Sequence, residues 1–260
     1  MPALKAIFFD IDDTLFSTSD FARRARENSI DAMIRCGLRM DREVVLRELE
    51  EIISEFSSNY EHHFDKLLLR IPRSSYEGVN RAILIAAGVV AYHETKFREL
   101  APYNDAIELL KILALTSLIR GVITAGLEVK QAEKLIRLKV YDHLMPNAIF
   151  ISDQIGVSKP NVKLYQRACS ELALKPEEAM YIGDNPTQDI DPPNSIGMVT
   201  VRNRRSGKYL DHEGKTSARH EIQNFWDLLR ILEDVYGVRP ADECRARPQA
   251  RTSKRALKNP

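Results

Sequence analysis

The stretch LKAIFFDIDDTL, residues 4–15, decides the architecture of this chain. Its first half is an almost unbroken apolar run, the pattern of a strand buried on both faces of a parallel sheet. Asp10 stands at the C-terminal end of that run. If the chain stays extended, alternation sends Asp10 and Asp12 to one side and Ile11 and Asp13 to the other. Ligands of open α/β sheets bind beyond the carboxyl ends of the strands, so an acidic pair placed there points to a site as well as to a fold.

Beyond this segment the periodicity changes. Residues 16–100 read as helical, with Phe21, Ala25, Ile30, Met33 and Ile34 on one face and Val45, Leu49, Ile52, Ile53 and Phe56 on another. Asp41 is the expected N-cap of the second helix. Further helices are expected over 62–70 and 76–97. After Pro102 strands and helices alternate: strands over 119–124, 148–152, 180–183 and 198–202, helices over 105–115, 129–138 and 162–172. A last amphipathic helix over 221–236, with Phe225, Trp226, Leu229 and Leu232 on its apolar face, is ended by Gly237 and Pro240. The expected class is therefore α/β, a doubly wound, Rossmann-like parallel sheet with an inserted all-α helical cap domain. The core takes residues 1–15 and 101–238, the cap 16–100, and a basic tail 239–260.

The composition suits a compact globule: 44% of the 260 residues are hydrophobic and the net charge is +1. That charge is uneven, because residues 239–260 hold seven Lys/Arg against two Asp/Glu. The tail has few large apolar residues and is expected to stay solvated and disordered. It has no aromatic residue to stack on a base, so nucleic acid is an unfavoured partner. No apolar run approaches the roughly 20 residues that span a bilayer. The N-terminus has no secretory signal pattern, which gives the cytoplasm as the expected location. Cys36, Cys169 and Cys244 are scattered, without zinc-ligand spacing, and read as unpaired thiols.

Four strand ends carry the chemistry. The first offers Asp10 and Asp12. The second, GVITAG, ends in Thr124, a hydroxyl donor, followed by Ala125 and Gly126, whose backbone amides an anion can approach. The third, GVSKP, offers Lys159, and the fourth, YIGDNPTQDI, adds Asp184 and Asp189. Carboxylates for a hard cation, with a hydroxyl and an ammonium for an anion, form the inventory for moving a phosphoryl group. Four carboxylates crowded together repel one another unless a cation sits among them.

These four segments, in this order, resemble motifs I to IV of the haloacid dehalogenase superfamily over residues 5–202, and the helical insertion resembles its cap. The resemblance implies Asp10 as the nucleophile that becomes an aspartyl-phosphate. It implies Asp12 as the group that protonates the leaving alcohol and then activates water. Thr124, Ala125 and Lys159 would hold the phosphoryl oxygens. Mg²⁺ would be bound by Asp10, the backbone carbonyl of Asp12 and Asp184, with Asp189 in support. Negative neighbours such as Asp13 are expected to help Asp12 carry its proton.

The resemblance also sorts activities. Metal-independent dehalogenases of the superfamily lack the second aspartate that is present here as Asp12. Schiff-base phosphonoacetaldehyde hydrolases use a cap lysine, whereas residues 16–38 contain only arginines. A Mg²⁺-dependent phosphatase, working as a monomer or homodimer, is the implied activity. The alternatives are a phosphomutase of the β-phosphoglucomutase type and a non-catalytic phosphosite-binding module. The cap is expected to select the substrate through Asn59, His63, Asp65, Arg70 and Lys96. The NYEHHFD and AYHETKF segments are similar to archaeal members described as triose or sugar phosphatases, which implies a small phosphorylated metabolite such as glyceraldehyde 3-phosphate. Two departures from the family pattern stand out: Asp191-Pro192-Pro193-Asn194 where a Gly-Ala pair is usual, expected to stiffen the loop, and Tyr103-Asn104-Asp105 in place of a Pro-Gly turn.

Overall fold

The computed structural model describes residues 3–240; the basic tail beyond 240 and Cys244 lie outside the described residues. Six parallel strands form one sheet: β1 Ala6–Phe9, β2 Ile119–Thr124, β3 Ile149–Ile151, β4 Ala179–Gly183, β5 Val199–Asn203 and β6 His220–Ile222. Their order across the sheet is β3-β2-β1-β4-β5-β6. β1 lies at the centre, pairing Ala6 with Ile119 on one side and with Ala179 on the other. The chain winds outward from β1 in both directions, so the crevice at its carboxyl end is the topological switch point where such sheets bind ligands.

Period-two alternation along β1 divides its side chains between two cores. Ile7 and Phe9 join a cluster built from α5 (Asn104–Leu113), α6 (Glu128–Arg137) and α10 (Phe225–Tyr236), through Leu109, Leu110, Leu135, Leu228 and Leu232. Ala6 and Phe8 face the opposite side, where Leu164, Tyr165 and Ala168 of α8 (Lys163–Glu171) pack. Helices cover both faces, which explains why β1 reads as a continuous apolar run. Phe225, 1% exposed, sets its ring 6.0 Å from that of Phe9. Phe225→Ala is expected to cost about 3–5 kcal/mol of stability, read from the shift in urea midpoint at constant slope.

The helical block is α1 Thr18–Arg35, α2 Arg42–Phe56, α3 His63–Arg70 and α4 Arg81–Glu99. Ile30, Met33, Val45, Leu49, Ile52, Phe64, Leu67 and Leu84 form a core of their own. α1 serves both bodies: its Phe21 and Ala25 pack into the sheet-side cluster, while Ile30 and Met33 belong to the helical one. Asp41 caps α2 as expected, accepting from the backbone N–H groups of Glu43 and Val44 at 3.1 Å each.

Several boundaries differ from the sequence reading. α4 begins at Arg81 rather than at residue 76, because the Asn80 side chain accepts from Ala82 N at 2.8 Å and Gly78 takes a left-handed φ of +79° that no helix continues through. Residues 73–76 instead make one short 3₁₀ turn. The last helix starts at Phe225, capped by Asn224, and residues 220–222 form β6, a strand the periodicity did not reveal. Pro192 and Pro193 fall in the first turn of a short helix, α9 (Asp191–Ser195), where a missing N–H costs nothing. Asp191 is engaged as well, accepting from Lys215 N at 2.9 Å and Thr216 N at 2.8 Å. The remaining short helix, α7, spans Ser152–Ile155. Among the described cysteines, Cys36 is exposed and Cys169 buried, both as free thiols. No helix among the described residues is long and apolar enough to cross a membrane.

Candidate active site

The ends of β1, β2 and β4 converge on one buried acidic cluster. Asp10 follows β1 directly, its N–H donating to Ile182 O at 2.8 Å and so prolonging the ladder by one residue. Asp184 follows β4, and Asp189 returns to the same place from the tight turn over Pro186–Ile190. One carboxylate oxygen of each lies within 4.8 Å of the others. Lys159 is the counter-charge: its Nζ donates to Asp10 Oδ1 and to Asp189 Oδ1, both at 2.8 Å. Asp189 also accepts from Asn185 N at 3.0 Å and the Tyr181 hydroxyl at 3.2 Å.

Three carboxylates against one ammonium leave an excess of negative charge in a place nearly shut off from water. Burial, then Asp189 and Asp12, push the Asp10 carboxyl up to about 6 despite the opposing pull of Lys159. Burial, followed by Asp189, Asp10 and Asp13, raises Asp184 to about 9. Burial works to lower Lys159, but Asp10 and Asp189 outweigh it and the ammonium is held well above its ordinary range. Asp184 Oδ2 is buried without a hydrogen-bond partner among the described residues, and so is Thr124 Oγ1 at the end of β2. A native fold rarely strands such atoms. An unpaired carboxylate oxygen beside two more carboxylates calls for a cation, and an all-oxygen donor set fits a hard divalent one.

Gly183 makes this closeness feasible. A Cβ built there would lie 2.4 Å from Asp189 Cγ. A second glycine, Gly207, approaches from the long β5–β6 connection, in a left-handed conformation (φ +103°) and so near that a Cβ would lie 3.1 Å from Asp184 Oδ2.

Asp12 departs from the expectation. β1 ends at Phe9 and Asp13 adopts φ +50°, so alternation does not persist through residues 10–13. Asp13 turns instead to the start of α1, accepting from Ser19 N at 3.0 Å and Ser19 Oγ at 2.8 Å. The Asp12 carboxylate faces α6 and the entry to the helical block. It accepts from Lys134 Nζ at 2.6 and 2.7 Å, Thr18 Oγ1 at 2.6 Å and Gln131 Nε2 at 3.3 Å. Burial alone would raise Asp12, but Lys134 outweighs it and holds the carboxyl below its ordinary range. The dominant neighbour is therefore a cation, not the negative Asp13. Gln131 and Lys134 had no sequence signal beyond membership of an amphipathic helix. Gly126 brings a second correction: its N–H donates to Ser152 Oγ at 2.9 Å and is not free for an anion. Ala125 lies beside Thr124 with its carbonyl accepting from Gln131 Nε2 at 2.9 Å.

All five cap residues make contacts within the described residues. Asn59 offers its carbonyl to Lys130 Nζ at 3.3 Å, and Lys96 pairs with Glu133, so both reach α6. His63 bonds Ser57 O at 2.9 Å. Asp65 pairs with Arg81 at 3.7 Å and Arg70 with Glu55, ties internal to the helical block. Of the departures noted in the sequence, Asn104 opens α5, and Asp105 binds Arg205 Nη1 through both oxygens at 2.6 and 2.8 Å.

Known proteins resemble this chain. A family model described as haloacid dehalogenase-like hydrolase matches residues 4–197. The chain is 48% identical, over 237 residues covering 89% of it and 98% of the relative, to a glyceraldehyde 3-phosphate phosphatase of Methanopyrus kandleri. A protein of the same name from Pyrococcus furiosus is 40% identical over 239 residues, covering 91% of this chain and 96% of that one. Among solved structures, an HAD phosphatase from Thermococcus onnurineus matches with a TM-score of 0.62 at 24% identity, covering 88% of this chain and 98% of that one, a likeness of fold. The chain belongs to the haloacid dehalogenase-like hydrolases.

Proposed function

We propose that this protein is a Mg²⁺-dependent phosphatase acting on a small phosphorylated metabolite, with glyceraldehyde 3-phosphate as the first candidate. The observation that carries the reading is the buried cluster of Asp10, Asp184 and Asp189 beside Lys159 and the unpartnered Thr124 hydroxyl. Asp10, Asp184 and the backbone carbonyl of Asp12 would hold the metal, with Asp189 in support. Bound there, Mg²⁺ would offset the charge of the carboxylates and of the phosphoryl oxygens. The names of the two relatives support the triose substrate, and the helical block is read as the cap that closes over it.

The chain's own groups account for two balanced half-reactions. In the first, an Asp10 oxygen attacks phosphorus as the ester P–O bond breaks; the electron pair leaves with the alcohol oxygen, which takes a proton from Asp12. In the second, water gives a proton to Asp12 as its oxygen attacks phosphorus, and the bond to Asp10 breaks. The sum is ester plus water to alcohol plus phosphate. Lys159, Thr124 and Ala125 would orient the phosphoryl oxygens. Asp12 as held by Lys134 is in its proton-accepting form, which suits the second half-reaction; the first needs the proton loaded on the same carboxyl.

The test is phosphate release from glyceraldehyde 3-phosphate and a panel of small phosphate esters, with Mg²⁺ or with EDTA. Release is expected with Mg²⁺, lost with EDTA and restored by added Mg²⁺, fastest on the triose ester. Absence of release from every ester, by a protein that binds Mg²⁺, would sink the reading in favour of a mutase or a binding module.

A further inference from the structure

Helix α6 begins just beyond β2, and one of its faces looks back at the acidic end of β1. Gln131 and Lys134, three residues apart and so neighbours on that face, both reach Asp12. Gln131 is fixed by its second bond, to Ala125 O at 2.9 Å. Lys134 spans both carboxylate oxygens at 2.6 and 2.7 Å, with side chains of Lys134 and Asp12 only 20% and 31% exposed. Thr18, the first residue of α1, closes the third side at 2.6 Å. Without Lys134, Asp12 keeps only one short bond, that to Thr18, and a longer one to Gln131, and the carboxylate is free to turn about its side-chain bond. A charge-assisted contact to both oxygens is the strongest restraint in the set.

We propose that Lys134 is a positioning residue for departure of the alcohol: it fixes the orientation from which Asp12, once protonated, delivers its proton to the leaving oxygen. The inference rests on the phosphatase reading. Orientation of the acid acts on P–O cleavage, so it weighs most where the leaving group is a poor one.

The experiment compares kcat/KM, which reports steps through phosphoryl transfer to Asp10, for phenyl phosphate and p-nitrophenyl phosphate. The two esters have similar shape, but nitrophenolate leaves without help while phenolate needs a proton. Wild type, Lys134→Met, Lys134→Gln and Lys134→Arg are measured, with circular dichroism and thermal melts to establish folding. Lys134→Met and Lys134→Gln are expected to lose on the order of 10²-fold on phenyl phosphate and at least about tenfold less than that on p-nitrophenyl phosphate, with Lys134→Arg recovering part of the loss. Equal losses on both esters, or none on phenyl phosphate, in folded variants overturn the role of Lys134 and leave the phosphatase reading intact. A wild type inactive on both esters and on the metabolite panel overturns the phosphatase reading itself.

Discussion

Asp10→Asn is expected to lose turnover by on the order of 10⁴-fold or more, because the amide cannot open the covalent route and no other carboxylate can replace it. Asp184 and Asp189 share the cluster, but Asp189 is tied down by Lys159, Tyr181 and Asn185, and Asp184 belongs to a different strand end. The fold should tolerate the change. Burial, and after it the like charges of Asp189 and Asp12, push the Asp10 carboxyl up to about 6, so a neutral isostere removes a desolvation cost and repulsion as well as its bond to Lys159. Thermal melts without metal are therefore expected to place the variant level with wild type or above it. With Mg²⁺ the order reverses, since a metal that binds the native state raises its stability in proportion to RT ln(1 + [L]/Kd) and the variant has lost a ligand. Phosphate-release assays and melts at graded Mg²⁺ check both halves. A variant that keeps turnover would remove Asp10 from the chemistry.

Gly183→Ala is expected to disable the same site through a residue that has no chemistry of its own. The added Cβ would sit 2.4 Å from Asp189 Cγ and 2.5 Å from its Cβ, far inside contact distance. Asp189 has no easy retreat: three donors hold its carboxylate, and a buried tyrosine backs it. Either β4 bends or Asp189 swings out and frees Lys159 from one partner. Overpacking of this kind costs about 1–3 kcal/mol, and displacement of a supporting carboxylate commonly costs about 10–100-fold in metal affinity or activity. Gly197→Ala serves as the contrast. Its surroundings are open and its φ is +90°, so only the left-handed penalty of roughly 1–2 kcal/mol applies, with the Mg²⁺ dependence untouched. Mg²⁺ titration by calorimetry separates the two; equal effects would mean that Gly183 acts on stability alone.

How much of this was legible in the sequence follows from where each constraint resides. β1 was readable because a strand covered on both faces must be apolar at every position, and residues 6–9 are all buried. Asp41 was readable as a cap because capping is decided by a residue and its next three neighbours. β6 was not. It has three residues, only Ile222 is buried, and so short a run has no period to detect. The start of α4 is hidden for a related reason: apolar spacing runs on through Tyr76 and Val79, while Gly78 and Asn80 reset the backbone there.

The site divides in the same way. Asp10 and Asp184 stand at strand ends, where the topology dictates convergence, while Lys159 lies past β3 and α7 on the segment that returns to them, not at a strand end as its sequence reading has it; the order of the segments is enough to find all three. The surroundings of Asp12 are not legible in the sequence, because alternation stops with the last ladder residue and because Lys134 lies 122 residues away on a helix whose polar face looks like any other. Nothing in a single sequence separates a lysine in water from one folded back on a carboxylate. In the helical block, Asp65 and Arg70 are engaged in ion pairs that a single sequence does not reveal.

The two outermost strands bear on how copies of this chain can meet. β3 and β6 are three residues long each, and both run straight into other structure, β3 into α7 and β6, two residues on, into α10. A sheet rim recruits a foreign strand by offering a row of free N–H and C=O groups, and these rims offer hardly any. Growth of the sheet from molecule to molecule, the usual route to ordered aggregates, has little template here. Among the described residues, self-association is therefore expected through side chains rather than through the sheet rims.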